Sequence, residues 1–226
     1  MSLKHYLRLA YKEANLTWDA ILETFDQLEV TLQHHRENLI LVYGASFNPL
    51  HQGYIDVQLS GLCPEVDALA TVILPCEDYL LRNKTAASAS NFFLYMHRRA
   101  DILDAISSIP KDRVWVWKST YFPFKYMLEA LARLTKADGF DLVFSHLIGP
   151  DILRLENPLM ILPYVSSSII VTNKARHLET HFLPDKTPVL WSGFGEWSLF
   201  QDHHSGSCSS NLPFILNLLT YQFHHR

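Results

Sequence analysis

The sequence predicts a doubly wound α/β fold: a mostly parallel sheet covered by helices on both faces and preceded by a helical extension. Two observations carry this. From residue 39 onward, apolar runs of strand length recur with helix-like segments between them. Parallel strands are joined by right-handed crossovers that lay helices on each face, so strand–helix alternation argues for a sheet covered on both sides. Ahead of it, the first 35 residues show apolar spacings of three and four, the period of a helix with one buried face. The division is a helical extension over residues 1–38 and an α/β domain over 39–226.

Taken in order, Leu3, Leu7, Ala10 and Ala14, then Trp18, Ile21, Leu22, Phe25 and Leu28, read as two helices, with the Thr17 hydroxyl as a cap for the second. Strands follow at LILVY (39–43), LATVIL (69–74), RVWVW (113–117), DLVFSHLI (141–148), SSIIVT (167–172) and PVLWS (188–192). Helices are expected near residues 52–62, 90–107 and 123–135, with a last one from about 211. The small-residue stretch TAASAS, residues 85–90, reads as a mobile loop, and no internal repeat is visible.

Composition narrows the function classes. The chain has 226 residues, 48% of them hydrophobic and 12% aromatic, enough for a full core in one large domain with an appendage. With 19 Lys and Arg against 23 Asp and Glu the net charge is −4, so a general pull on nucleic acid or anionic lipid is not expected. Cys63, Cys76 and Cys208 form no close pair, which excludes a disulfide framework or zinc knuckle and fits a reducing compartment. No apolar run reaches the roughly 18 residues a membrane span needs. The expectation is a cytoplasmic or nuclear protein without a membrane partner; whether it pairs with a second copy is left open.

The chemistry concentrates where the first strand runs into Gly44-Ala45-Ser46-Phe47-Asn48-Pro49-Leu50-His51-Gln52-Gly53-Tyr54 and a helix begins. Glycine at a strand end lets backbone approach a phosphate, and the N–H groups at a helix start carry partial positive charge. The same residues also suit an ordinary turn.

The pattern Gly44, Phe47-Asn48-Pro49, His51 and Gly53 resembles the nicotinate/nicotinamide mononucleotide adenylyltransferases, in the nucleotidyltransferase superfamily named for an H-x-G-H motif. The resemblance covers about residues 39–220 and implies a Rossmann-like nucleotidyltransferase fold, ATP as substrate with Mg²⁺, and a place in NAD biosynthesis. It gives His51 a contact to the ATP phosphates, with Gly44, Ala45, Ser46, Phe47, Asn48 and Gly53 as the surrounding seat. Tyr54 takes the position of the second histidine. A phenol, with a reference pKa of about 10, donates a hydrogen bond but carries no positive charge at neutral pH.

Two further segments extend the resemblance. Gly149-Pro150-Asp151 after strand 141–148 looks like the family's G-x-D-x-L, which puts Gly149 and Asp151 at the nucleotide. If the strands are ordered 3-2-1-4-5-6, the first and fourth are neighbours at the switch point and His51 and Asp151 flank one crevice. Asn157-Pro158-Leu159 stands where the family commonly has a tryptophan against the pyridine ring. Ser209 and Ser210 match the family's I-S-S phosphate loop, while Phe214 falls at its arginine position. Lys84 and Arg176 are the remaining basic candidates near phosphate.

Other clusters are read more plainly. The 12 histidines include pairs at 34/35, 203/204 and 224/225, and adjacent residues point different ways, so no transition-metal site is expected. Arg98-Arg99 and Lys111-Asp112-Arg113 read as solvated charge, and Trp115, Trp117, Tyr121, Phe122, Phe124 and Tyr126 as core or substrate wall. The functional expectation is adenylyl transfer from ATP to a phosphorylated acceptor, first of all nicotinamide or nicotinate mononucleotide. A diverged nucleotide binder, a slow ATP hydrolase and a transferase with a non-pyridine acceptor are the alternatives.

Overall fold

A computed structural model describes residues 1–16, 25–86, 92–149, 168–172 and 215–220. Within them the chain runs α1 (Leu3–Glu13), β1 (Glu37–Ala45), α2 (Gln52–Gly61), β2 (Ala70–Pro75), α3 (Asp78–Ala86), α4 (Met96–Asp104), β3 (Val114–Val116), α5 (Tyr121–Ala137), β4 (Asp141–Ile148), β5 (Ser168–Thr172) and β6 (Ile215–Thr220). The six strands form one sheet in the order β3-β2-β1-β4-β5-β6. Every pairing is parallel except β5 with β6. This is the expected doubly wound, Rossmann-like α/β architecture, and β1 and β4 are neighbours as the 3-2-1-4-5-6 order requires.

The pleat sorts the core onto two faces. Ile40, Val42, Ala70, Val72, Trp115 and Phe144 pack on one side with Leu3, Tyr6, Leu7 and Tyr11 of α1 and Phe124, Met127, Leu128 and Leu131 of α5. Leu41, Tyr43, Ile73, Val114, Val116, Leu147 and Ile170 pack on the other with Val57 of α2 and Ala100 and Leu103 of α4. Alternate residues of one strand thus serve opposite layers, which is why the strands read as continuous apolar runs. At the end of α2, a Cβ on Gly61 would lie 2.7 Å from both Leu41 Cδ1 and Leu147 Cδ2, so the missing side chain lets the helix settle onto the sheet. Of the aromatic group, Trp115, Trp117 and Phe124 are core, and Phe122 and Tyr126 are exposed. α1 is also tied to α5: the Tyr6 hydroxyl donates to Asp138 at 2.6 Å, and burial together with that carboxylate pushes its pKa up to about 12.

Four expectations about elements are corrected. Residues 26–35 are not helical: Leu28, Val30 and Leu32 are buried while Glu29 and Thr31 are exposed, the period of extended chain, and Ser2 bridges Thr31. The helix expected near 90–107 is shorter, α4, preceded by non-helical residues 92–95, and α3 is an additional helix that already contains Thr85 and Ala86. The helix expected from about 211 is, over Ile215–Thr220, a strand paired antiparallel to β5. A six-residue apolar run suits helix or strand by pattern alone, and here the unpaired edge of β5 decides. Thr17 and the strand expected at 188–192 lie outside the described residues.

Candidate functional site

The order of the sheet reverses between β1 and β4, and the region beyond the carboxyl ends of two such strands is the usual ligand position in doubly wound folds. The register pairs Tyr43 with Leu147, and Ala45 and Gly149 each follow two residues further along the chain. Gly44, Ala45 and Gly149, three of the expected seat residues, stand at the carboxyl ends of these two strands. A Cβ on Gly44 would find one protein atom within 4 Å, Leu74 O at 3.9 Å. Among the described residues, nothing packs against that position closely enough to demand a glycine.

The turn that leaves β1 is tightly determined. Phe47 is 1% exposed and takes φ +48°, a left-handed conformation that a bulky residue adopts at a cost of about 1–3 kcal/mol and keeps only where packing enforces it. The enforcement comes from Tyr43, edge-on at 5.3 Å between ring centroids, and from Tyr54 at 4.9 Å. Asn48 uses both ends of its amide, donating to Phe92 O at 2.9 Å and accepting from Leu94 N–H at 3.0 Å. It thereby fastens the turn to the segment that enters α4.

Arg99 lies behind the turn and was misread as a solvated charge. It is 1% exposed and donates to Leu94 O (2.9 Å), Ser46 O (2.6 Å), Cys76 Sγ (3.6 Å), Cys76 O (2.7 Å) and Asp78 Oδ1 (3.0 Å). Its neighbour Arg98 is exposed, as expected. The local signal for Arg99 was its place beside Ala100 and four residues before Leu103, on the buried stripe of α4. The acidic residues at the end of β2 complete the brace. Asp78 accepts from Met96 N–H at 2.7 Å and Glu77 from Tyr121 N–H at 2.8 Å, at the starts of α4 and α5. Neither Tyr95 nor Thr120, the N-cap residues of those helices, makes a side-chain cap bond. Helix starts favour carboxylates, and here these come from another part of the chain.

His51 is the N-cap of α2, with extended backbone, and its Nδ1 accepts from Gly53 N–H at 3.1 Å. A neutral imidazole that accepts at Nδ1 carries its proton on Nε2, so the exposed ring presents a donor at the rim. Its face stacks on Tyr54 at 4.2 Å. The Tyr54 hydroxyl meets the Ser46 hydroxyl at 2.8 Å. Gly53 N–H serves the cap, and Tyr54 N–H bonds the His51 carbonyl at 3.0 Å, which leaves the Nε2–H and the Ser46–Tyr54 couple as polar groups of this turn.

Lys84 lies on α3. Asp151, Arg176, Ser209 and Ser210 fall outside the described residues. Among the described residues no three His, Cys, Asp or Glu side chains converge as a metal set, and no helix is long and apolar enough to cross a membrane. A groove lined by Glu13, Ala14, Tyr126, Glu129, Ala130 and Arg133 lies between α1 and α5, on the opposite face of the sheet from α2.

No protein-family model matches the chain, and no curated protein matches it. Among solved structures it is similar to Plasmodium falciparum nicotinic acid mononucleotide adenylyltransferase complexed with APC, at 18% identity and a TM-score of 0.33, over 51% of this chain and 53% of the other. It is similar to the same enzyme complexed with NaAD at 18% identity and a TM-score of 0.32, over 51% and 54%. The chain thus spans about half the length of the structures it matches.

Proposed function

We propose that this protein is a nucleotidyltransferase that seats ATP beyond the carboxyl ends of β1 and β4 and passes its AMP to a phosphorylated acceptor, nicotinamide or nicotinate mononucleotide first among them. An acceptor phosphate oxygen attacks the α-phosphorus of ATP in line, the bond from that phosphorus to the bridging oxygen breaks, and pyrophosphate leaves. No covalent enzyme intermediate is needed, because alignment and neutralisation of developing charge supply the acceleration. His51 Nε2–H donates to phosphate oxygen, backbone from Gly44 to Phe47 forms the floor, and Asp151, Ser209 and Ser210 complete the nucleotide site. Mg²⁺ bound to the ATP phosphates would neutralise charge there, a mode that asks for few protein carboxylates and suits the donor set of this turn.

The observation that supports the reading is the coincidence of two features at one point. The motif turn leaves β1 where the strand order reverses, and His51 caps α2 through one ring nitrogen while the other is left to donate. A second reading, a nucleotide binder or slow ATP hydrolase without transfer, is favoured by Tyr54, whose hydroxyl already bonds Ser46. The two separate in a pyrophosphate-release screen with Mg-ATP and a panel of phosphorylated acceptors that includes both pyridine mononucleotides. The transferase reading expects pyrophosphate only when an acceptor is present, and the acceptor that elicits it identifies the substrate. Phosphate release without an acceptor indicates a hydrolase, and silence with retained ATP binding indicates a binder.

A further inference from the structure

Ser46 stands one residue beyond β1 and Tyr54 in the first turn of α2, yet their hydroxyl oxygens are 2.8 Å apart. Both are held from behind. The Tyr54 ring is packed against His51 and Phe47, and the Ser46 carbonyl is drawn in the direction of Arg99 at 2.6 Å. Two hydroxyls that share one hydrogen bond hold two protons and use one. The phenol is the stronger acid, so it donates to the alkyl hydroxyl, and the proton left over is that of Ser46. Accepting from Tyr54 also polarises the Ser46 O–H and makes it a better donor.

Resting on the nucleotide reading above, we infer that Ser46 is a phosphate-binding donor in its own right, with Tyr54 as the residue that positions it. The phenol at position 54 thus acts on the nucleotide through Ser46, and the turn offers two directed neutral donors, the Ser46 hydroxyl and His51 Nε2–H. A hydrogen bond to a charged oxygen contributes about 1.5–3 kcal/mol, so removing the donor costs roughly ten- to a hundredfold in affinity.

The test is a double-mutant cycle read by Mg-ATP calorimetry on the full chain, with Ser46→Ala, Tyr54→Phe and their combination. Tyr54→Phe keeps the ring against His51 and Phe47, and thermal melts of the ligand-free variants report any loss of packing. Each single variant is expected to bind Mg-ATP about tenfold more weakly or worse at an unchanged melting temperature. The double variant is expected to fall no further, and Ser46→Thr, which keeps a hydroxyl, to bind like the wild type. Wild-type affinity in Tyr54→Phe, or losses that multiply in the double variant, would overturn the couple and leave the nucleotide reading standing. Absence of Mg-ATP binding by the wild type would overturn both.

Discussion

Replacing Arg99 with methionine is expected to remove about 3–5 kcal/mol of stability, read as a lower urea midpoint at an unchanged slope. The size follows from what the guanidinium does. All five of its N–H donors are used, on the carbonyls of Ser46, Cys76 and Leu94, the Cys76 sulfur and the Asp78 carboxylate. Methionine matches the apolar stem but leaves three carbonyls without that partner, each at about 1–3 kcal/mol where water does not reach. The Asp78 side chain is 33% exposed and recovers part of its solvation, which keeps the total within the range for a broken buried ion pair. Arg99→Lys should restore little, because a single ammonium cannot address acceptors spread around a planar fork. Nucleotide affinity should fall with stability in both variants, since Ser46 and the entry to α4 lose their common anchor.

His51→Asn is expected to lower adenylyl transfer about 100-fold or more while the protein stays within about 0.5 kcal/mol of wild-type stability. On the proposed reading the histidine does two things, and asparagine preserves one of them. Asn is among the best N-cap residues, so its carbonyl oxygen takes over the bond from Gly53 N–H. It has no atom at the reach of Nε2, and loss of one preorganised donor to a developing oxyanion typically costs 100- to 1,000-fold in turnover. His51→Ala removes both and is expected to lose about 1 kcal/mol of stability in addition. Steady-state pyrophosphate release and urea unfolding, measured on the two variants together, separate the roles. Equal turnover in wild type and His51→Asn would reduce the histidine to a cap.

These expectations show which parts of the molecule were legible in its sequence. Strand β4 occupies Asp141–Ile148, the run DLVFSHLI itself, because a strand covered on both faces reads as a mostly apolar run, here interrupted by the buried Ser145 and His146. The turn after β1 was legible because its residue types carry the resemblance, and the cap made by His51 is the local bond an N-terminal helix position requires. Residues 26–35 misled because Phe25 and Leu28 keep a helical spacing while Leu28, Val30 and Leu32 obey a period of two. Ile215–Thr220 misled because the free edge of β5, a distant partner, settles its conformation.

The brace behind the site was harder to see for the same reason. Nothing within a few residues of Arg99 says that a strand-end carbonyl at Ser46 and a loop at Cys76 will close around it. An isolated charge is ordinarily exposed, and only its position on the buried stripe of α4 argued otherwise. Asp78 and Glu77 likewise cap helices that begin 18 and 44 residues later, at Met96 and Tyr121. Such pairings are products of the fold, and the sequence shows only the groups that will need them.

Mg-ATP calorimetry on the wild type and Gly44→Ala asks whether the turn from β1 into α2 seats a nucleotide phosphate. Among the described residues, a methyl group at position 44 meets no atom closer than 3.9 Å, so the variant is expected to fold and melt like the wild type. It would stand in the path of a phosphate that approaches the backbone there. The wild type is expected to bind Mg-ATP, and Gly44→Ala to bind it about tenfold more weakly or worse. No heat from the wild type at millimolar Mg-ATP, or equal affinity in the two proteins, would contradict that reading.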